Sequence, residues 1–146
     1  MNIAIEQLQL DELKAFLREQ AEDAFPDLKD EQRLNMLAEK WATNAEFCTC
    51  RNDEGSLVGM IAFYANGKGA DFAYIPHVYV SHNYRGKGVF KQMLLMVENT
   101  VRTRGFKEVR LEVHNDNKTA IRSYERTGFV RLGEAGKDSV FLKKTI

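Results

Sequence analysis

Tyr84-Arg85-Gly86-Lys87-Gly88-Val89-Phe90 is the stretch from which the rest of the chain is read. It follows an apolar run that ends at Val80. It opens onto a stripe of Val89, Phe90, Met93, Leu94, Val97 and Val101, spaced as one face of a helix. The glycines therefore fall where a strand turns into a helix. The first N–H groups of a helix have no intrahelical acceptor and the dipole there is positive, so an anion can replace the missing acceptors. Gly86 and Gly88 permit close approach of backbone to ligand, and Arg85 and Lys87 add charge that can meet phosphate oxygens. Glycine spacing by itself fits a tight turn with two solvated cations equally well. A Walker-type site would need Gly-x-x-x-x-Gly-Lys followed by Ser or Thr, and a dinucleotide fingerprint would sit in a parallel βαβ unit near the N-terminus; the sequence has neither.

Upstream, Asn2 to Leu8 alternates as a half-buried strand. Asp11 offers a helix cap before Leu13, Phe16, Leu17, Ala21 and Ala24. Pro26 interrupts that pattern, and Asp30 can cap a second helix carrying Leu34, Leu37, Ala38 and Trp41. From Glu46 the texture becomes β-rich: Glu46 to Arg51, a turn at Asn52-Asp53-Glu54-Gly55, Leu57 to Ala65, a turn at Asn66-Gly67-Lys68-Gly69, then Phe72 to Val80. Three such strands predict an antiparallel meander. Downstream come a helix from about Gly88 to Arg104, a strand from Phe106 to Val113, a helix from Lys118 to Arg126, and strands at Phe129 to Gly133 and Ser139 to Lys143. Gly105 and Gly128 stand where the two helices must stop. The expected order is βααβββαβαββ, an α/β (α+β) domain covering residues 1–146, with no linker or repeat.

The totals narrow the partners. A chain of 146 residues, 44% of them hydrophobic, suffices for one ordinary core. The 21 Lys plus Arg cancel the 21 Asp plus Glu, so no net field favours nucleic acid or an anionic membrane. Met1-Asn2-Ile3-Ala4-Ile5-Glu6 lacks the basic start and apolar run of a signal peptide, and no apolar stretch approaches the roughly 20 residues that span a bilayer. A cytoplasmic protein is expected. Cys48 and Cys50, two apart on one strand face, suit neither a disulfide nor a zinc site, so they read as packing thiols and no metal is expected.

The run Val80-Ser81-His82-Asn83-Tyr84-Arg85-Gly86-Lys87-Gly88 resembles the acyl-CoA-binding motif of the GNAT superfamily of N-acyltransferases: Arg or Gln, two residues, Gly, one residue, Gly or Ala. Arg85 and Gly88 match it. The block Asn117 to Phe129 is similar to the family's Asn-x-x-Ala-x-x-x-Tyr-x-x-x-Gly-Phe segment at every fixed position, namely Asn117, Ala120, Tyr124, Gly128 and Phe129. Phe90 departs from the motif, since the family prefers Gly or Ala there. Its place in the helical stripe predicts a ring turned into the core.

The resemblance implies a GNAT fold, a mixed and mostly antiparallel central sheet flanked by helices. It also implies acetyl-CoA as co-substrate and transfer of its acetyl group to a primary amine, on a small molecule or a peptide, by a monomer or homodimer. The cofactor would be held by Arg85, Gly86, Lys87, Gly88, Val89 and Phe90, by Asn117, and by backbone groups of Val78, Tyr79 and Val80 beside the pantetheine. Tyr124, expected to point inward, would assist the departing CoA thiolate. In relatives a Glu or His often serves as base six residues before the position of Val80, where this chain has Tyr74. His77 has the better intrinsic pKa but faces the other side of a regular strand, unless a bulge reverses it. Glu112 and His114 are further options, acting through water. An acyl-CoA-binding or sensing module without efficient chemistry is the alternative reading.

Overall fold

Leu57 to Phe63 contains no charged residue, and a strand without polar alternation has to be covered on both faces. The computed structural model, which describes residues 1–66 and 72–146, supplies that cover. Its strands are β1 (Asn2–Glu6), β2 (Glu46–Arg51), β3 (Leu57–Tyr64), β4 (Phe72–Val80), β5 (Glu108–His114), β6 (Val130–Glu134) and β7 (Ser139–Thr145). Its helices are α1 (Leu10–Asp23), α2 (Glu31–Asn44), α3 (Val89–Thr103) and α4 (Lys118–Arg126). The element order is the one read from the sequence. The strands form one sheet in the order β1-β2-β3-β4-β5-β7-β6. β4 and β5 run parallel, whereas the β1–β2, β2–β3, β5–β7 and β6–β7 pairs are antiparallel.

The chain divides into two compact units, Met1–Phe63 with His77–Val97, and Tyr64–Pro76 with Glu98–Ile146. In the first, Gln20 of α1 donates to the Met60 sulfur at 3.4 Å, which sets α1 on one face of β3. On the other face a Cβ added to Gly59 would lie 3.2 Å from Met93 Cε, and Cys48 Sγ lies 3.6 Å from the Met93 carbonyl, so α3 covers that side. Leu13, Phe16 and Leu17 of α1, Leu34 and Trp41 of α2, and Val89, Met93 and Leu94 of α3 are buried accordingly. Cys48 and Cys50 are free and buried, as packing thiols should be, and burial pushes the Cys48 thiol up to about 12. Asp30 caps α2 as expected, accepting from Gln32 N at 3.0 Å.

Asp11 does not cap α1. The helix starts earlier, at Leu10, after Gln9, whose carbonyl accepts the first turn's bond from Leu13 N and whose side chain makes no capping bond. Asp11 sits inside that turn, where a carboxylate meets the positive helix end. β1 stops at Glu6, short of Leu8, and β5 begins at Glu108 instead of Phe106. Short 3₁₀ turns at Pro26–Lys29 and His82–Tyr84 have no hydrophobic period and escape a pattern reading. Of the turn expected over Asn66-Gly67-Lys68-Gly69, residues 67–69 lie outside the described residues.

In the second unit β5 alternates cleanly, with Val109, Leu111 and Val113 buried and backed by Val140 and Leu142 of β7. Val101, Ile121 and Phe129 complete this core. The parallel register of β4 and β5 runs from Phe72↔Glu108 to Ile75↔Leu111, while β4 itself continues to Val80. Among the described residues no helix is long and apolar enough to cross a membrane, and no group of three or more His, Cys, Asp or Glu is placed to hold a metal ion.

Candidate active site

The turn between β4 and α3 is built from the strand end outward. Ser81 N donates to Val58 O at 2.8 Å, fixing the residue just after β4 to β3. A single 3₁₀ turn follows, closed by Tyr84 N to Ser81 O at 2.9 Å. Gly86 and Gly88 then adopt φ of +74° and +80°, the left-handed region that side chains disfavour, and Gln92 N to Gly88 O at 3.0 Å starts α3. Nothing lies within 4 Å of a Cβ added at Gly86. The result is an open backbone approach to the first turn of a fifteen-residue helix, the arrangement that accepts an anion.

The side chains of this turn are placed less simply than their sequence suggests. Arg85 folds back: its Nε donates to Val80 O at 2.8 Å, its Nη2 to Asp23 Oδ2, and its guanidinium stands 5.6 Å from the Tyr79 ring centroid. Lys87 Nζ lies 5.6 Å over the Tyr84 ring. Val89 fills the core position of the first turn at 2% exposure, while Phe90, expected to turn inward, is only half-buried. Tyr79 is buried against Phe16 and gives its hydroxyl to Asp23 at 2.6 Å. That hydrogen bond, joined by Arg85, holds the Asp23 carboxyl below its ordinary value, and burial pushes the Tyr79 phenol up to about 12. Val78 and Val80 are half-buried, and the Val80 carbonyl already accepts from Arg85.

His77 is packed between rings, 4.6 Å from Phe25 and 4.8 Å from Trp41, with Nε2 at 2.6 Å from Gln20 Oε1. Burial lowers its pKa to about 4, so the imidazole is neutral at pH 7 and a feeble base. This placement suits a core histidine.

In the second unit Tyr74, Pro76, Glu112, His114, Asp138 and Ser139 line a cavity of about 390 Å³. Burial, and then the negative charge of Glu112, raises the Tyr74 pKa, so Tyr74 stays a hydroxyl donor at neutral pH. Glu112, one of two carboxylates lining this cavity with Asp138, accepts from Ser139 Oγ at 2.7 Å. His114 Nδ1 accepts from Asp116 N at 3.2 Å. Asn117 caps α4 through Ala120 N at 3.2 Å. Tyr124 packs edge-on against Phe129, 5.7 Å between centroids, and burial pushes its phenol up to about 12. Sequence reading missed Asp23 as the partner of Arg85 and Gln20 as that of His77. Both sit on α1 more than fifty positions away in sequence.

The chain belongs to the acetyltransferase (GNAT) family, whose profile matches residues 10–129. It is 33% identical over 89 residues to an acetyltransferase of Agrobacterium fabrum, covering 60% of this chain and 61% of that protein. It is 36% identical over 77 residues to a streptothricin acetyltransferase of Escherichia coli, covering 53% of this chain and 43% of that one. The matches thus span about three fifths or less of these curated relatives. Among solved structures, the fold is shared with the PaiA N-acetyltransferase of Thermoplasma acidophilum in complex with coenzyme A, at a TM-score of 0.75, 20% identity and full coverage of both chains. A GNAT acetyltransferase of Staphylococcus aureus superposes at a TM-score of 0.77, with 18% identity and 99% of each chain covered. Acetyl transfer from acetyl-CoA is general to the family.

Proposed function

We propose that the protein, as one N-acetyltransferase domain, moves an acetyl group from acetyl-CoA to a primary amine by direct attack. The observation that carries this reading is the β4–α3 turn, with Gly86 and Gly88 at positive φ and open space leading to the first turn of α3. Its backbone fits the pyrophosphate, and Lys87, between the two glycines, adds a side-chain cation. Val78 to Val80 offer backbone groups to the pantetheine, a reading supported by the end of the β4–β5 register at Ile75↔Leu111.

Acetyl-CoA supplies the activated thioester carbonyl. The acceptor amine, with a reference pKa of about 10.4, arrives mostly protonated and must lose a proton before it attacks. Glu112, oriented by Ser139 Oγ, takes that proton through water, and Tyr74 donates its hydroxyl to hold the water or the amine. As the C–S bond breaks, Tyr124 stabilises the thiolate. Its phenol, near 12, lies well above a thiol's reference value of about 8.5, so it gives a hydrogen bond and keeps its proton. The acceptor is a small amine or a peptide amine.

Free-thiol release from acetyl-CoA across a panel of primary amines tests the reading, with amine-dependent release as the expected result. Binding of acetyl-CoA without release under every condition would favour a cofactor-sensing module, for which the raised pKa of Tyr74 at the usual base position is the supporting observation.

A further inference from the structure

Arg85 carries the cation of the cofactor motif, yet its guanidinium is held on three sides by the protein itself. Nε reaches back to the Val80 carbonyl at 2.8 Å, so the side chain closes the loop from Val80 to Arg85 as a staple. Nη2 meets Asp23 Oδ2, the oxygen that also receives the Tyr79 hydroxyl at 2.6 Å. The Tyr79 ring stands beneath the guanidinium at 5.6 Å. One carboxylate oxygen at the last residue of α1 therefore ties β4, through Tyr79, to the residue that leads into Gly86.

We infer that Asp23 is a positioning residue for the cofactor turn: it locks Arg85 against Val80 and Tyr79, so that the turn's backbone binds the pyrophosphate and the Arg85 side chain braces the turn instead of ligating phosphate. This rests on the reading of the turn as the acetyl-CoA seat. Two roles for Asp23 predict opposite signs. As a brace, its loss loosens the turn and weakens binding. As a competitor that withholds Arg85 from the phosphates, its loss frees a cation and tightens binding. Three separate contacts on the guanidinium, from backbone, carboxylate and ring, fit the brace.

The test is calorimetric titration of acetyl-CoA into the wild type, Asp23→Asn, Asp23→Glu, Arg85→Gln and the Asp23→Asn/Arg85→Gln double variant, with melting curves on each. Asp23→Asn is expected to weaken binding about fivefold, as loss of a part-exposed charged hydrogen bond does. Asp23→Glu should recover part of that affinity. The double variant should bind no worse than Arg85→Gln alone, because Asp23 acts through Arg85. In steady state the KM for acetyl-CoA should rise while kcat holds. Unchanged or tighter binding by Asp23→Asn, or additive losses in the double variant, would overturn the inference while leaving the seat intact. Absence of acetyl-CoA binding by the wild type would instead overturn the seat, and the inference with it.

Discussion

Lys144 on β7 brings its ammonium to 2.8 Å from the carboxylate of Glu98, a residue only 4% exposed on α3. A buried charge of this kind is tolerable only while its partner is present. Lys144→Ala should therefore destabilise the fold by about 3 kcal/mol in urea unfolding, and adding Glu98→Gln should return much of the loss. Equal stability of Lys144→Ala and wild type would show that the pair contributes nothing.

His77 gives a pH dependence of definite sign. Its folded pKa is depressed to about 4 from an ordinary 6.5, so between these values the unfolded chain binds a proton that the folded one does not. Stability is then fully present above pH 6.5 and falls as pH drops towards 4, by about 3 kcal/mol for a shift of this size. His77→Gln should flatten the stability profile between pH 6.5 and 4.5, read by denaturant unfolding at each pH. An unaltered slope would exclude His77 as its source.

Gly59 tests the packing of α3 on β3. A Cβ there would stand 3.2 Å from Met93 Cε and 3.3 Å from Cys50 Cβ, closer than side chains settle without movement. Gly59→Ala should cost about 1–2 kcal/mol by overpacking, and Met93→Ala in the same chain should relieve part of that strain.

Much of this architecture is written locally. The β3 run is uncharged because α1 and α3 cover its two faces, and Asp30 announces α2 because its carboxylate satisfies helix donors within three residues. The glycines of the cofactor turn are legible for the same reason, since positive φ is a local demand. Partners across the fold are not. Nothing near Arg85 in sequence indicates that Asp23 will draw its side chain away from the helix end, and nothing near His77 names Gln20, Phe25 and Trp41 as its surroundings. The family resemblance points to Tyr74 at the base position, but its chemistry depends on burial and on Glu112, which belong to the folded cavity.

The role assigned to Tyr124 predicts a split in kinetics. Tyr124→Phe keeps the ring against Phe129 and removes the hydroxyl, so turnover should fall by about tenfold or more while acetyl-CoA affinity stays nearly unchanged. Unchanged turnover with the best amine would exclude the hydroxyl from thiolate stabilisation.

The central claim is that the β4–α3 turn seats acetyl-CoA, and calorimetric titration into the wild type and Gly88→Val tests it most directly. A side chain at φ +80° must distort the turn, which lies at the margin of the core and leaves the two hydrophobic clusters untouched. The wild type should bind one acetyl-CoA per chain, and Gly88→Val should lose at least tenfold in affinity with its helical circular dichroism retained. Undiminished binding by Gly88→Val, or no binding by the wild type, would contradict the claim.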